Sequence, residues 1–550
     1  MIHPVVQQYA LEGEVIFNDM PHFEVKGEFA DTAMRVLSDV PCSDCTVPLV
    51  IKLSNTREFT YIEPARRLSD EIYRLDITKS GVTVTASCRR GVYRAINTLI
   101  RLAAAKELKA GYIYDYPLFP VRGYIEGFYG KLWQDDKRRS VLKLMAAHGM
   151  NTFYYAPKDD PYHRDKWREL YPRKELEALL ELCTLAQQNE VDFYYCIAPG
   201  LTMRYTSEDD FNALIAKLTY LNGLGINRFG LLLDDIPEQL QYEQDIERYG
   251  ETVNAHIAII NRVYSALKAL NGDIRLTVCP LQYHGSGDEY FISKLGCGLD
   301  AEISVFWTGE EICSRTLTSS CALRFYEHTH HKPLYWDNYP VNDCEMFNEM
   351  HIGPVMGRDS DLWQYSTGLI SNVMEYAECS KIPLITIADY LWNPVAYNKS
   401  ASHDYALECV LGDKAELFKY FCDHLHISCL TKQSSVFLSE TLEKANFELS
   451  RGDTLAAFSI LTQYLDKAFE CAQMLKDTDV DLFKELERWS KKFADCCDIL
   501  RLCLEALCSG DEDTKAELAS KAVEYDRDAT LLTGFCLREI TQRVLDGFSV

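Results

Sequence analysis

No apolar run of about 18 residues occurs in the 550-residue chain, so no helical membrane span is expected. The opening stretch "MIHPVVQQYALEGEVIFNDM" has no basic segment leading into an apolar one. No secretion signal is therefore visible, and a cytoplasmic location is the expectation. Bases are scarce beside acids, 57 Lys and Arg against 82 Asp and Glu, for a formal net charge of -25. Such a surface repels phosphate backbones and anionic bilayers, which argues against nucleic acid and membrane as partners. HExxH, a Cys/His quartet and a phosphate-cradling glycine loop are all missing, so no metal, nucleotide or other cofactor is called for. With no export signal, the 20 cysteines read as reduced structural thiols, and the lone CxxC at Cys42 and Cys45 has no second pair.

What is there is an ordinary globular composition, 47% hydrophobic and 25% charged, in three differently patterned stretches. Residues 1–118 read as a small α/β domain. "PLVIKLS", "EIYRLDIT" and "GVTVTAS" alternate as strands, and a following helix places Val92, Ile96, Leu99 and Leu102 on one face. Residues 119–400 change to apolar strands alternating with amphipathic helices. The strand candidates are "VRGYIEGFY", "NTFYYAPK", "DFYYCIAPG", "RFGLLLDD", "RLTVCPLQY", "EISVFWTG", "PLYWDNY" and "GLISNVM". Near-continuous apolar strands joined by helices over this length predict a (β/α)8 TIM barrel, with a doubly wound open sheet as the alternative. Residues 401–550 read as an α-helical bundle, for example through Leu482, Leu486, Trp489, Phe493, Cys496, Leu500 and Cys503. Those stripes are chiefly bundle core; a homodimer through this domain is the other use they could serve.

In a barrel the C-terminal strand ends converge on one pocket. Here they carry Glu126-Gly127-Phe128-Tyr129, Lys158-Asp159-Asp160, Asp234-Asp235, Gln282-Tyr283, Trp307-Thr308, Trp336-Asp337-Asn338 with Asp343 downstream, and Asn372. Carboxylates and amides set among Tyr and Trp suit a polyhydroxylated ring, although the same set could line another polar barrel pocket. Asp234 and Asp235 are consecutive, so they can converge only where strand gives way to loop, as Pro237 suggests. Adjacent acids are badly placed for opposite sides of one anomeric carbon, the arrangement of ordinary glycoside hydrolysis. They suit a reaction in which the substrate brings its own nucleophile. "EHTHH" (His328, His330, His331) lacks partners at metal-ligand spacing and reads as a cation cluster at a helix C-terminus.

"EGFYGKLW", "YAPKDD", "LLLDDI", "CPLQY", "WTG", "YWDNYPVND" and "NVMEYAECSKI...ADYLWNP", in that order over roughly residues 120–395, resemble glycoside hydrolase family 84, the β-N-acetylglucosaminidases that include the O-GlcNAcases. The flanking domains resemble those of its bacterial-type members. The resemblance implies a retaining exo-β-N-acetylglucosaminidase with substrate-assisted catalysis. In that chemistry the 2-acetamido oxygen attacks the anomeric carbon and the resulting oxazoline is opened by water. Asp234 resembles the residue that orients the acetamido N–H, and Asp235 the general acid and base. Their pKa values are then expected to be pushed apart. Tyr283 resembles the residue holding the acetamido oxygen. Lys158, Asn338, Asp343 and Asn372 resemble the hydroxyl-binding set, Trp336 the apolar wall, and Gly127 a close backbone contact. The implied partner is a GlcNAc-containing glycan or glycopeptide, with O-GlcNAc on peptides among the candidates. An endo-hexosaminidase of the hyaluronidase kind and an inactive glycan-binding barrel are the alternatives. Leu281 stands where the family motif often has Thr, and "HGSGDE" after Tyr283 has no clear match, so the resemblance bears on the chemistry and not on the acceptor.

Overall fold

A computed structural model describes residues 2–54 and 71–546. The first unit is a six-stranded mixed sheet of β1 (Gln8–Phe17), β2 (His22–Gly27), β3 (Thr46–Leu53), β4 (Tyr73–Thr78), β5 (Gly81–Ala86) and β6 (Leu108–Asp115), in the order β1-β6-β4-β5-β3-β2. The helix Arg89–Ala104 covers it, burying Val92, Ile96, Leu99 and Leu102.

The second unit is a closed barrel of eight parallel strands: β7 (Val121–Glu126), β8 (Thr152–Tyr155), β9 (Asp192–Ile197), β10 (Arg228–Leu232), β11 (Arg275–Cys279), β12 (Ser304–Trp307), β13 (Pro333–Asp337) and β14 (Gly368–Asn372). It closes where β14 pairs with β7, Leu369 beside Arg122 and Asn372 beside Ile125. Each expected strand is present, and the open-sheet alternative is set aside by that closure. Both faces of each strand are buried, which is why the segments read as unbroken apolar runs. Alternate residues divide between two cores. Ile125, Tyr154, Cys196, Leu232, Cys279, Phe306, Leu334, Trp336 and Ile370 pack inside the barrel. Their neighbours Tyr124, Phe153, Tyr195, Leu231, Val278, Val305, Tyr335 and Leu369 pack outward against the helices.

The helices after the barrel continue that outer core without a break. The boundary expected at residue 400 falls inside the helix Lys399–Leu411, which packs on the last barrel helix, Ala377–Trp392. Among the described residues no helix is long and apolar enough to cross a membrane, and the cysteines are free thiols. The histidine cluster departs from expectation. His330 is the left-handed cap of the helix Ser319–Thr329, but His331 is buried, and desolvation pulls its pKa below the ordinary histidine value.

The first unit docks on the bottom of the barrel through a buried carboxylate. Glu71 Oε2 accepts from Arg94 Nε at 2.9 Å and Arg122 Nη2 at 2.6 Å, and Glu71 Oε1 accepts from Asn151 Nδ2 at 2.8 Å. Burial alone would raise the Glu71 pKa; Arg122, Arg94 and Arg90 outweigh it and hold the group well below the carboxylate range.

Four buried histidines and the half-buried His403 are held neutral by desolvation: His148, His163, His403 and His424 fall to about 4 and His256 to about 3, from 6.5. A depressed folded pKa means that the unfolded chain binds more protons below 6.5. The stability each contributes is whole above that pH and is lost as pH falls toward 4, at up to about 1.4 kcal/mol per pH unit. Asp115, pushed up to about 6 by burial, works in the opposite direction over the same window. Thermal melts across pH should therefore show a plateau above pH 7 and an acid limb, with more than one proton taken up on unfolding near pH 5. An acid limb of one proton or fewer would contradict this account.

Candidate active site

The C-terminal strand ends open into a cavity of about 860 Å³. Which of the strand-end residues reach it follows from the inside-outside alternation, carried past the last strand residue. Inward positions Ile125, Ala156, Leu232, Phe306, Trp336 and Ile370 are followed two residues later by Gly127, Lys158, Asp234, Thr308, Asn338 and Asn372, and each of these lines the cavity. The outward neighbours do other work. Glu126 is fully buried beneath the barrel wall, taking a bidentate grip from Arg138 at 2.7 and 2.8 Å. Trp307 packs on Phe325, and Asp337 pairs with Arg358 at 2.5 Å.

Asp235 breaks the alternation. It should point outward, but its φ of 53° is left-handed, and the turn swings its carboxylate into the cavity beside Asp234. Few non-glycine residues adopt that backbone; Asp is among the better tolerated, at a cost of order 1 kcal/mol. This is the local break that two consecutive acids required.

The two carboxylates have different surroundings. Asp234 Oδ2 accepts from Lys158 Nζ at 3.0 Å, while Lys158 stands 4.0 Å from Asp235. Burial works against the lysine's charge, but Asp234, with Tyr129 and Asp235 behind it, outweighs that and holds the Lys158 pKa above its ordinary value. The other Asp234 oxygen, Oδ1, is buried with no hydrogen-bond partner, as is Asn372 Oδ1. Asp235 instead receives two phenols: Tyr129 at 2.8 Å on Oδ2 and Tyr283 at 3.0 Å on Oδ1. Burial and then the Asp235 charge raise the Tyr283 pKa, so its hydroxyl stays a donor. The acids that follow Lys158 in the chain are not its partners. Asp160 is instead buried under the hydroxyls of Tyr155 (3.0 Å) and Tyr171 (2.6 Å), and Asp159 is exposed.

The opposite wall is one hydrogen-bonded unit. Asn338 Oδ1 accepts from Trp336 Nε1 and Asn372 Nδ2, both at 3.0 Å. Asp343 accepts the Tyr129 backbone N–H at 2.7 Å, and burial raises its pKa. Gly127 faces this wall: a Cβ there would sit 2.7 Å from the Trp336 indole and 3.2 Å from Asn372 Oδ1. Farther out, His351 Nδ1 lies 3.1 and 2.9 Å from the carbonyls of Pro340 and Val341, and its Nε2 lies 2.7 Å from Glu349. Glu349 also accepts the Cys429 N–H at 2.9 Å, tying the loop after β13 to the helical region.

All nine singled-out residues, Gly127, Lys158, Asp234, Asp235, Tyr283, Trp336, Asn338, Asp343 and Asn372, thus surround one cavity. The set left out Tyr129, which stood among the strand-end residues but had no visible tie to Asp235. It also left out Cys279, whose inward position on β11 follows from alternation alone and whose thiol lies against Asp234. Among the described residues no group of His, Cys, Asp and Glu could hold a metal ion.

Residues 122–423 match a family model described as beta-N-acetylglucosaminidase, and residues 29–116 match domain 2 of glycosyl hydrolase family 20. Protein O-GlcNAcase of Rattus norvegicus is 29% identical over 274 residues, which is 49% of this chain and 29% of that protein. The match therefore spans under a third of that relative's length. A Thermobaculum terrenum O-GlcNAc hydrolase mutant superposes with a TM-score of 0.73 at 30% identity, covering 78% of this chain and 95% of that one. CpGH84B superposes with a TM-score of 0.82 at 25% identity over 99% of this chain and 100% of its own.

Gly127→Ala should push the indole of Trp336 off Asn338 and cost about 1–3 kcal/mol of stability, as overpacking does. Denaturant melts check this; a variant within 0.5 kcal/mol or so of the parent, the range of a harmless surface change, would mean that the wall yields freely.

Proposed function

The chain belongs to the beta-N-acetylglucosaminidase family, the O-GlcNAcase-like enzymes of glycoside hydrolase family 84, and from that premise we propose that it is a retaining exo-β-N-acetylglucosaminidase working by substrate assistance. The observation that carries the reading is the pair of consecutive carboxylates brought into one cavity by the left-handed backbone at Asp235, one paired with a lysine and the other with two phenols.

Neighbouring acids are badly placed to flank a sugar ring from opposite faces, which supports a nucleophile supplied by the substrate. Asp234 is held by Lys158 on one oxygen. Its unpartnered Oδ1 is the acceptor for the acetamido N–H, aligning the acetamido oxygen on the anomeric carbon and balancing positive charge as the oxazolinium forms. Asp235 gives its proton to the leaving oxygen and takes one from the water that opens the oxazoline. Tyr283 holds the acetamido oxygen. Asn338, Asp343, Asn372 and Lys158 receive the hydroxyls, with Trp336 as the apolar wall and the backbone at Gly127 close against the ring. The buried, unpartnered Asn372 Oδ1 is an acceptor such a hydroxyl would satisfy. Hydrolysis of O-GlcNAc from peptides is the proposed physiological form of the reaction.

Aryl β-GlcNAc substrates carrying zero to three fluorines on the acetamido group test the nucleophile. Fluorine weakens the carbonyl oxygen, so kcat should fall steeply at each step. A flat series means that an enzymic group or water attacks, and the role given to Asp234 is then wrong. Binding without turnover of any member would favour a glycan-binding barrel.

The two acids separate by leaving group. Asp235→Asn, which tolerates the left-handed backbone, should lose about 10²–10⁴-fold in kcat on a poor leaving group and far less on an activated phenol. Asp234→Asn should lose rate on both. Equal losses for Asp235→Asn across leaving groups would remove it as the proton donor.

A further inference from the structure

The cavity is larger than its polar floor. Beyond the nine residues described, it continues outward between the loop after β12, the loop after β13 and the inter-helix loop at Cys429, over a wall of Ile312, Met346 and Cys429. Cys429 Sγ lies 3.3 Å from Met346 Sδ, so the barrel loop and the helical region form that wall together. The rim above it is unevenly charged. Glu310, Glu311 and Glu345 line it and are exposed, against one guanidinium, Arg315, which stands between this cavity and a second cleft. Glu310 has only a distant partner, Arg324 at 4.0 Å, and Glu311 and Glu345 form no ion pair among the described residues. At the floor below, Asp234 and Asn372 line the same cavity, and each has one side-chain oxygen buried without a hydrogen-bond partner. The rim bears on whatever is attached to the sugar held below.

We propose that the outer half of the cavity selects aglycones carrying positive charge, namely glycopeptides with basic residues beside the sugar. An exposed carboxylate is worth little singly, but three on one concave rim, in a chain of net charge -25, add to a field that attracts cations and repels anions. Peptide suits the site because the outer wall is apolar and polarizable while only the floor is built for hydroxyls. The inference rests on the hydrolase reading above.

The test compares kcat/KM for GlcNAc-serine peptides of equal length whose flanking residues are Lys or Glu, beside a neutral aryl β-GlcNAc. The Lys peptide should lead by about tenfold at low ionic strength, and the lead should shrink in 0.5 M or so salt as the rim is screened. In the double variant Glu311→Gln, Glu345→Gln the ratio should narrow to about threefold. Each ratio is read within one variant, so losses common to all substrates cancel. Equal rates, or a preference for the Glu peptide or for hyaluronan fragments, would overturn the proposal. So would a ratio unchanged in the double variant, which would assign the steering to the chain's overall charge. Failure to turn over the neutral aryl substrate is a different result. It would bring down the hydrolase reading itself and this inference with it.

Discussion

In a closed parallel barrel every second side chain of every strand enters the interior, and the interior is filled. The candidate site is that pattern continued one step beyond the strands. Gly127, Lys158, Asp234, Thr308, Asn338 and Asn372 reach the cavity because each stands two residues past an inward core position. Glu126, Trp307 and Asp337 sit one residue out of phase and are spent on the helices and outer loops. The same constraint makes Asp235 the exception. A second acid beside Asp234 can face inward only by leaving the strand conformation, and a left-handed residue accomplishes that in one position.

Charge in such a place has to be accommodated. Lys158 and Asp234 are both nearly buried, with side chains 6% and 7% exposed, and burying two ions costs several kcal/mol apiece before their attraction offsets it. The pair is consequently poor evidence for stability and better evidence for a task. It occupies one Asp234 oxygen and leaves the other buried and unpartnered. Asp235, a third exposed and 4.0 Å from the same lysine, leans on two hydroxyls. Two carboxylates adjacent in the chain thereby meet different electrostatic surroundings, the condition for dividing labour between them.

Both flanking units are tied to the barrel by buried or partly buried polar contacts. Glu71 clamps the first unit to the bottom through Arg94 and Arg122, far from the cavity. The helical region reaches the top. Cys429 binds Glu349, Glu349 faces His351, and His351 faces the carbonyls of Pro340 and Val341, between Asn338 and Asp343. The order of two site residues thus depends on a segment remote from them in sequence. It is also this segment that lengthens the cavity beyond the dimensions of its polar floor.

The sequence alone determined the barrel, because strands buried on both faces must be apolar throughout and their ends must converge. It also determined which strand ends carry polar chemistry, and alternation made Cys279 legible to anyone applying it. Tertiary structure decided the rest. Nothing in the chain says that Lys158 pairs with Asp234, 76 residues away, and not with its neighbours Asp159 and Asp160. Nor does it say that Tyr129 reaches Asp235 across 106 residues, or that Glu349 and Cys429 meet. The burial of His331, in a cluster that reads as cations at a helix C-terminus, was hidden in the same way. Alternation along a strand is a local property, set by backbone geometry every second residue. The partner of a side chain that has left its strand is set by closure of the barrel, which brings together segments that no local pattern connects.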